Sequence, residues 1–269
     1  LIMGVLNTTP DSFSDGGRYP GASAAIAAGL DMWNQGADIV DVGGESTRPG
    51  AKPVPVDEEL ERVVPVVAGL VEGGAVVSVD TMKAAVAAAA VSAGAHVVND
   101  VTALGDPDMA AVCARSGVGV VLVHMQGDPQ TMQIDPRYDS LVPEVLTFLE
   151  ARAGAVQRAG VERERICLDP GIGFGKAHAD NIELLKNIGS FTGSGYPVLV
   201  GTSRKGFLGS ILAAAGLETV AAERDPATTA TVALAIAGGA SIVRVHNVGH
   251  AFQAARVADA IVRASQRRL

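Results

Sequence analysis

Ile166-Cys167-Leu168-Asp169-Pro170-Gly171-Ile172-Gly173-Phe174-Gly175-Lys176 reads as a short buried strand that ends in a carboxylate. Three apolar residues, one of them β-branched, precede the acid, and Pro170 with three glycines then denies the backbone any regular continuation. The glycines leave no side chains to crowd a flat or anionic group approaching Asp169, while Phe174 offers a stacking face and Lys176 a cation. The spacing G-x-G-x-G-K matches neither common nucleotide loop, and Ala177 supplies no hydroxyl for a magnesium ion. Taken alone, the stretch fits an ordinary Gly/Pro turn after a core strand equally well. What separates the two readings is that the same grammar recurs along the chain.

Outward from this stretch, seven further apolar runs end in polar residues. Ile2 to Leu6 ends at Asn7, Asp38 to Gly43 at Gly44-Glu45, Val76 to Val79 at Asp80, and His96 to Val98 at Asn99-Asp100. Val118 to Val123 ends at His124, Val198 to Val200 at Gly201 through Lys205, and Ser241 to Val245 at His246-Asn247. Helical spacing of apolar residues follows each run: at Ala22–Gln35, Asp57–Glu72, Met82–Ala93, Pro107–Ser116, Leu141–Ala159, Ala179–Ile188, Ala227–Ala237 and Gly249–Ala264. Eight continuous apolar strands, each followed by a helix, describe a parallel sheet buried on both faces. Eight is also the number that closes a (β/α)8 barrel, so the expectation is an α/β TIM barrel in a single domain spanning 1–269, with an open doubly wound sheet as the alternative.

Composition agrees with one domain. No linker or low-complexity tract divides the 269 residues, which are 48% hydrophobic, and the 32 glycines are spread as punctuation between apolar segments. A net charge of −8 argues against a nucleic-acid or anionic-membrane surface, since both need a basic face, and points to small-molecule partners. Cys113 and Cys167 sit in apolar contexts and are expected to be free thiols in a reducing cytoplasm. Neither a signal peptide nor an 18-residue apolar span is legible.

Sorting the polar residues by position sharpens the expectation. Asn7, Glu45, Asp80, Asn99, His124, Asp169, Lys205, Arg244 and His246 all fall at or just beyond the C-terminal end of a strand, the face where barrel enzymes place their chemistry. Loops of about fifteen residues after the first run, about thirteen after the second and about fourteen after the fifth exceed the usual few and read as lids over that face. The first holds one aromatic, Phe13, among Ser and Asp; the second sets Arg48 between Thr47 and Pro49, suited to gripping an anion or a planar group. Arg204, Lys205, Arg244 and His246, with Ser203, form a basic group on two adjacent strands that would serve a phosphate or pyrophosphate, or else are solvated charges at helix starts. Asp80, Asn99 and Asp169 aim three acceptor-bearing side chains at one space and would satisfy a ring with several N–H donors on one edge. His124 reads either as a neutral partner of that site or as a packed core residue.

These residues carry a resemblance over nearly the whole chain. Met3 to Gly17, Gly43 to Gly50, Ser78 to Thr81, Asn99-Asp100, His124 to Gly127, Leu168 to Lys176, Gly201 to Lys205 and Arg244 to His246 are similar, in order and spacing, to the blocks of the dihydropteroate synthase family. The resemblance implies condensation of 4-aminobenzoate with (7,8-dihydropterin-6-yl)methyl diphosphate and release of pyrophosphate, in folate biosynthesis. By the same resemblance Asp80, Asn99, Asp169 and Lys205 would bind the pterin with Met125 and Phe174 as walls. Asn7, Arg244 and His246 would hold the diphosphate with Mg2+, Asn7 being the metal ligand, and Phe13, Thr47, Arg48, Pro49 and Ser203 would shape the aminobenzoate site. Catalysis would fall to Asp80, Asp169, Lys205, Arg244 and His246. The resemblance also implies a homodimer and competition by sulfonamides. Two other classes remain to be separated: a pterin-dependent methyltransferase domain, which would lack the Phe13 and Arg48 loops, and a non-catalytic pterin-binding paralogue, which would need no diphosphate site.

Overall fold

The structure, a computed structural model, describes residues 1–8, 20–48 and 50–266. Eight strands alternate with helices in the order β1 (Ile2–Asn7), α1 (Pro20–Asn34), β2 (Ile39–Gly43), α2 (Val56–Glu72), β3 (Val77–Asp80), α3 (Ala84–Ser92), β4 (Val97–Asp100), α4 (Met109–Ser116), β5 (Gly119–Val123), α5 (Leu141–Arg158) and β6 (Ile166–Asp169). The chain then continues through α6 (His178–Lys186), α7 (Ile188–Thr192), β7 (Leu199–Val200), α8 (Gly206–Ala214), α9 (Asp225–Ala237), β8 (Ile242–Val245) and α10 (Val248–Gln266). All eight sequence-expected strands form. The short α7 is an addition, and α8 is the helix that Ser203-Arg204-Lys205 is expected to start.

The strands pair in parallel in the order β6-β5-β4-β3-β2-β1-β8-β7. A bridge between Leu168 and Val198, with the Leu168 amide donating to Pro197 O at 2.9 Å, closes the ring between β6 and the two-residue β7. The arrangement is thus the closed barrel and not the open sheet. Side chains alternate across each strand. Met3, Ile39, Val121, Val123, Cys167, Leu199 and Ile242 form an inner cluster, while Leu6, Val40, Val42, Val79, Val98, Leu122 and Leu168 join an outer core beneath the helices. Burying both faces explains why the strands read as unbroken apolar runs, and each fully buried Val or Leu contributes roughly 1.5–3 kcal/mol.

The alternation dictates what reaches the C-terminal mouth. Continuing the inward parity of Met3 and Ile39 up the strands brings in Asp41 on β2, Ser78 and Asp80 on β3, Asn99 on β4, Asp169 on β6 and Arg244 on β8. Asp41 is the register partner of Ser78, and Asp80 of Asn99. Both cysteines are buried free thiols. Among the described residues no helix is long and apolar enough to cross a membrane.

Candidate active site

Above the inner apolar cluster lies a cavity of about 50 Å³ lined by Val5, Asp80, Asn99, Val101, Val123, Asp169, Phe174, Gly201, Ser203, Lys205, Arg244 and His246. Of the residues expected at the site, the barrel brings together Asp80, Asn99, Asp169, Phe174, Ser203, Lys205, Arg244 and His246. Asn7 is half-buried at the end of β1 with Gly43 as its register partner, and Met125 is half-buried; neither lines the cavity. Thr47 is half-buried and Arg48 exposed in the loop after β2, whose Gly50 amide meets Pro129 O of the loop after β5 at 3.1 Å. Phe13 and Pro49 lie outside the described residues.

One ion-pair chain crosses the cavity. Arg244 donates from Nε to Asp41 Oδ2 and from its second guanidinium nitrogen to Asp80 Oδ2, both at 2.6 Å. Asn99 Nδ2 donates to the same Asp41 oxygen at 3.1 Å. Burial, reinforced by the Asp41 and Asp100 carboxylates, raises the Asp80 pKa above the ordinary range even though Arg244 pulls it down. Burial also raises Asp169, against the pull of Lys205 and of the Gly171 amide that donates to its Oδ1 at 2.7 Å. Lys205 lies 4.6 Å from the Phe174 ring centroid and donates to Ile172 O, and burial pushes its ammonium down to about 8. Two acids whose pKa values burial raises and one ammonium whose pKa it lowers surround a small cavity, so titration is perturbed around the site.

At the opposite rim, His246 Nδ1 lies 2.9 Å from Ser203 Oγ, and burial with the neighbouring Arg204, Arg244 and Arg48 charges lowers its pKa to about 4. The ring is neutral at pH 7, and if Nδ1 accepts from Ser203 the remaining proton sits on Nε2, a donor for an anion.

Three sequence expectations are corrected by the geometry. Arg204, counted with the basic group, has φ 60° and turns away to a bidentate pair with Asp225 at 2.7 and 2.8 Å, so it frames the site without lining it. Glu45 accepts from the Val54 amide at 2.9 Å and from Lys83, holding its own loop in place. Lys176, expected as a cation for the ligand, is 1% exposed and bound to His124 and to Phe174 O. His124 resolves to the packed core reading: it is buried, stacked edge-on against Phe148, and absent from the cavity lining. Asp41 went unnoticed in the sequence. Its signal was an acid flanked by Val40 and Val42 inside a run that had to be buried on both faces.

A closed parallel barrel whose C-terminal mouth gathers inward acids beside Lys205, Arg244 and His246 has the build of a barrel enzyme with a small-molecule site. A family profile described as pterin binding enzyme matches residues 3–246. The chain is 44% identical over 264 residues to the dihydropteroate synthase of Bacillus subtilis, covering 97% of this chain and 88% of that one. Among solved structures it is similar to Xanthomonas albilineans dihydropteroate synthase with 4-aminobenzoic acid (TM-score 0.90, 44% identity, 97% of this chain and 92% of that one). It is also similar to Yersinia pestis dihydropteroate synthase in a sulfonamide drug complex (TM-score 0.90, 40% identity, 97% and 93%). The chain belongs to the dihydropteroate synthase family of pterin-binding enzymes.

Proposed function

We propose that the barrel mouth joins 4-aminobenzoate to (7,8-dihydropterin-6-yl)methyl diphosphate, forming 7,8-dihydropteroate and releasing pyrophosphate in folate biosynthesis. The observation that carries this reading is the convergence of Asp80, Asn99 and Asp169 on one cavity that Arg244 and His246 also line. The acids and the amide accept N–H donors along one edge of the pterin, with Phe174 as a wall and Lys205 beside it. Arg244 reaches across to both Asp41 and Asp80, so a ring that is to use the Asp80 carboxylate has to displace a side chain. Arg244 is the one to move: the diphosphate draws its guanidinium off Asp80, which frees that carboxylate for the ring.

The reaction breaks the CH2–O bond, leaves the electron pair on the diphosphate, and forms a bond from the arylamine nitrogen to the methylene, after which the nitrogen loses a proton. Positive charge develops on the ring and negative charge on the leaving group, so the residues act mainly by fixed electrostatics. Asp80 and Asp169 face the first charge; Arg244 and the Nε2–H of neutral His246 face the second. Ser203 holds His246 in the donor tautomer. The loops after β1 and β2, with Phe13, Thr47, Arg48 and Pro49, carry the aminobenzoate and exclude water.

The donor set fits a magnesium ion held mainly by substrate. The family resemblance makes the Asn7 amide, at the end of β1, the protein's oxygen ligand, and among the described residues no group of three His, Cys, Asp or Glu side chains is placed to cage a metal. When bound, the ion offsets charge on the departing pyrophosphate. Thorough chelation should therefore abolish turnover; unchanged turnover would remove the metal from the proposal.

The remaining assignments are a homodimer and a cytoplasmic location. The first is supported by Leu234, Val257 and Ile261, large apolar residues exposed on the adjacent α9 and α10. The second is supported by the two free thiols. Pyrophosphate release that requires both substrates, and that sulfonamides suppress competitively with 4-aminobenzoate, tests the function. A methyltransferase domain or a binding paralogue would release none.

A further inference from the structure

We infer that Asp41 is a positioning residue that fixes which atom Asn99 presents to the pterin, an inference that rests on the pterin-binding reading of the cavity. Asp41 is fully buried and does not line the cavity, so it has no route to substrate. Its Oδ2 accepts two bonds, from Asn99 Nδ2 at 3.1 Å and from Arg244 Nε at 2.6 Å. A carboxylate cannot donate, so Asn99 has to turn its NH2 toward Asp41. The amide oxygen then points the other way, and Asn99 Oδ1 is buried with no partner among the described residues. A buried acceptor left open is costly, and Asn99 lines the cavity, where a ligand N–H can fill that acceptor.

Without Asp41 the amide has no reason to prefer this orientation. Turned over, it would present NH2 to a ring edge that itself presents N–H, donor against donor. The same carboxylate holds the Nε side of Arg244, so the other end of the guanidinium swings between Asp80 and incoming diphosphate about a fixed point. Asp41 thereby orients a pterin acceptor and anchors the anion's cation with one oxygen atom.

The test is a double-mutant cycle read by calorimetric titration of 6-hydroxymethylpterin, well below each melting temperature. Asp41→Leu, close in shape and without an acceptor, should weaken pterin binding at least tenfold and raise the KM for the pterin substrate while leaving the KM for 4-aminobenzoate nearly unchanged. In an Asn99→Ala background the same substitution should cost little, because there is no amide left to orient. Asp41→Asn, which can keep an oxygen toward both donors, should recover most of the loss, and it carries the same cycle should Asp41→Leu fail to fold. Unchanged pterin affinity in a folded Asp41 variant, or full additivity with Asn99→Ala, would overturn the inference. Wild-type protein that neither binds the pterin nor turns over would instead sink the functional reading beneath it.

Discussion

Lys176 Nζ lies 2.9 Å from His124 Nδ1, and the two residues bolt together the loops that follow β5 and β6. The same ammonium donates to Phe174 O at 2.9 Å and to His124 O at 3.3 Å, so its three protons meet three acceptors. While Lys176 is charged it has no lone pair, so His124 Nδ1 accepts and the imidazole proton sits on Nε2. Burial and the adjacent ammonium push the His124 pKa down to about 3, in accord with a permanently neutral ring. Close backbone approach completes the joint: Gly171 at φ 68° faces the His124 carbonyl and Gly175 at φ 62° the Gln126 backbone, where any Cβ would collide. Tyr138 OH adds a bond to Gly175 O at 2.7 Å.

At pH 9, where the folded lysine no longer has to keep a buried charge, Lys176→Met should lower the melting temperature, because it strips buried carbonyls of a donor at roughly 1–3 kcal/mol each. The pH dependence identifies the cause. Burial lowers the folded Lys176 pKa to about 7 from 10.5, so between those values the unfolded chain binds more protons than the folded one, and stability rises with pH. The stability difference between wild type and Lys176→Met should grow across that window, by up to about 1.4 kcal/mol per pH unit. Denaturant melts at pH 7, 8 and 9 check it; a constant difference would mean the ammonium stays charged throughout.

Free-enzyme titration should show in kcat/KM for the pterin diphosphate. Asp80 and Asp169 must be ionised to hold ring donors, and their raised pKa values move the acid limb above the ordinary carboxylate range. Lys205, lowered by burial to about 8, sets the alkaline limb as its charge is lost. Lys205→Arg keeps a cation at every accessible pH and should shift that limb upward by more than one unit, even if the peak rate falls. An alkaline limb that stays put would assign it to another group.

Lys83 plays for the loop after β2 the part that Lys176 plays for the loop after β6. Its ammonium contacts Glu45, Glu59 and, at 2.8 Å, Val54 O, tying the segment that carries Thr47 and Arg48 to α2 and to the start of α3. Although burial disfavours its charge, hydrogen bonds to Glu45 and Glu59 hold its pKa above the usual lysine range. Lys83→Met should raise the KM for 4-aminobenzoate and the inhibition constant of a sulfonamide severalfold while pterin affinity stays near wild type. Steady-state kinetics with each substrate varied in turn distinguishes this from general unfolding, which would affect both.

The barrel was legible because burial on both faces writes its strands as apolar runs, and because the residues capping those runs collect at one end. That Asp80, Asn99 and Asp169 meet at one cavity could be read from position alone. Asp41 could not, since an acid within a strand run gives no hint that Arg244, 203 residues later, closes over it. Arg204 and Lys205 are adjacent in sequence, and only the left-handed φ at Arg204 sends one to Asp225 and leaves the other beside Phe174. The cation of Lys176 was plain, but its destination depended on two loops meeting, a long-range event with no local signature.

Asp169 combines two duties that a substitution can separate. Its Oδ1 accepts from the Gly171 amide at 2.7 Å and so caps the turn that carries Phe174. The residue also lines the cavity and can offer its other oxygen to the pterin. Asp169→Asn keeps the shape, but the Gly171 N–H still demands an acceptor, so the amide oxygen stays on the turn and the NH2 is driven toward the ring donors. The variant thus loses a charged hydrogen bond of roughly 1.5–3 kcal/mol and gains a buried donor clash of roughly 1–3 kcal/mol. With each factor of ten worth about 1.4 kcal/mol, pterin binding should weaken by about two orders of magnitude or more, while the retained cap leaves the melting temperature close to wild type. Calorimetric titration of 6-hydroxymethylpterin beside a thermal melt reads both duties at once. A variant that melts early yet binds pterin normally would leave Asp169 with the turn alone and would move pterin recognition to Asp80 and Asn99.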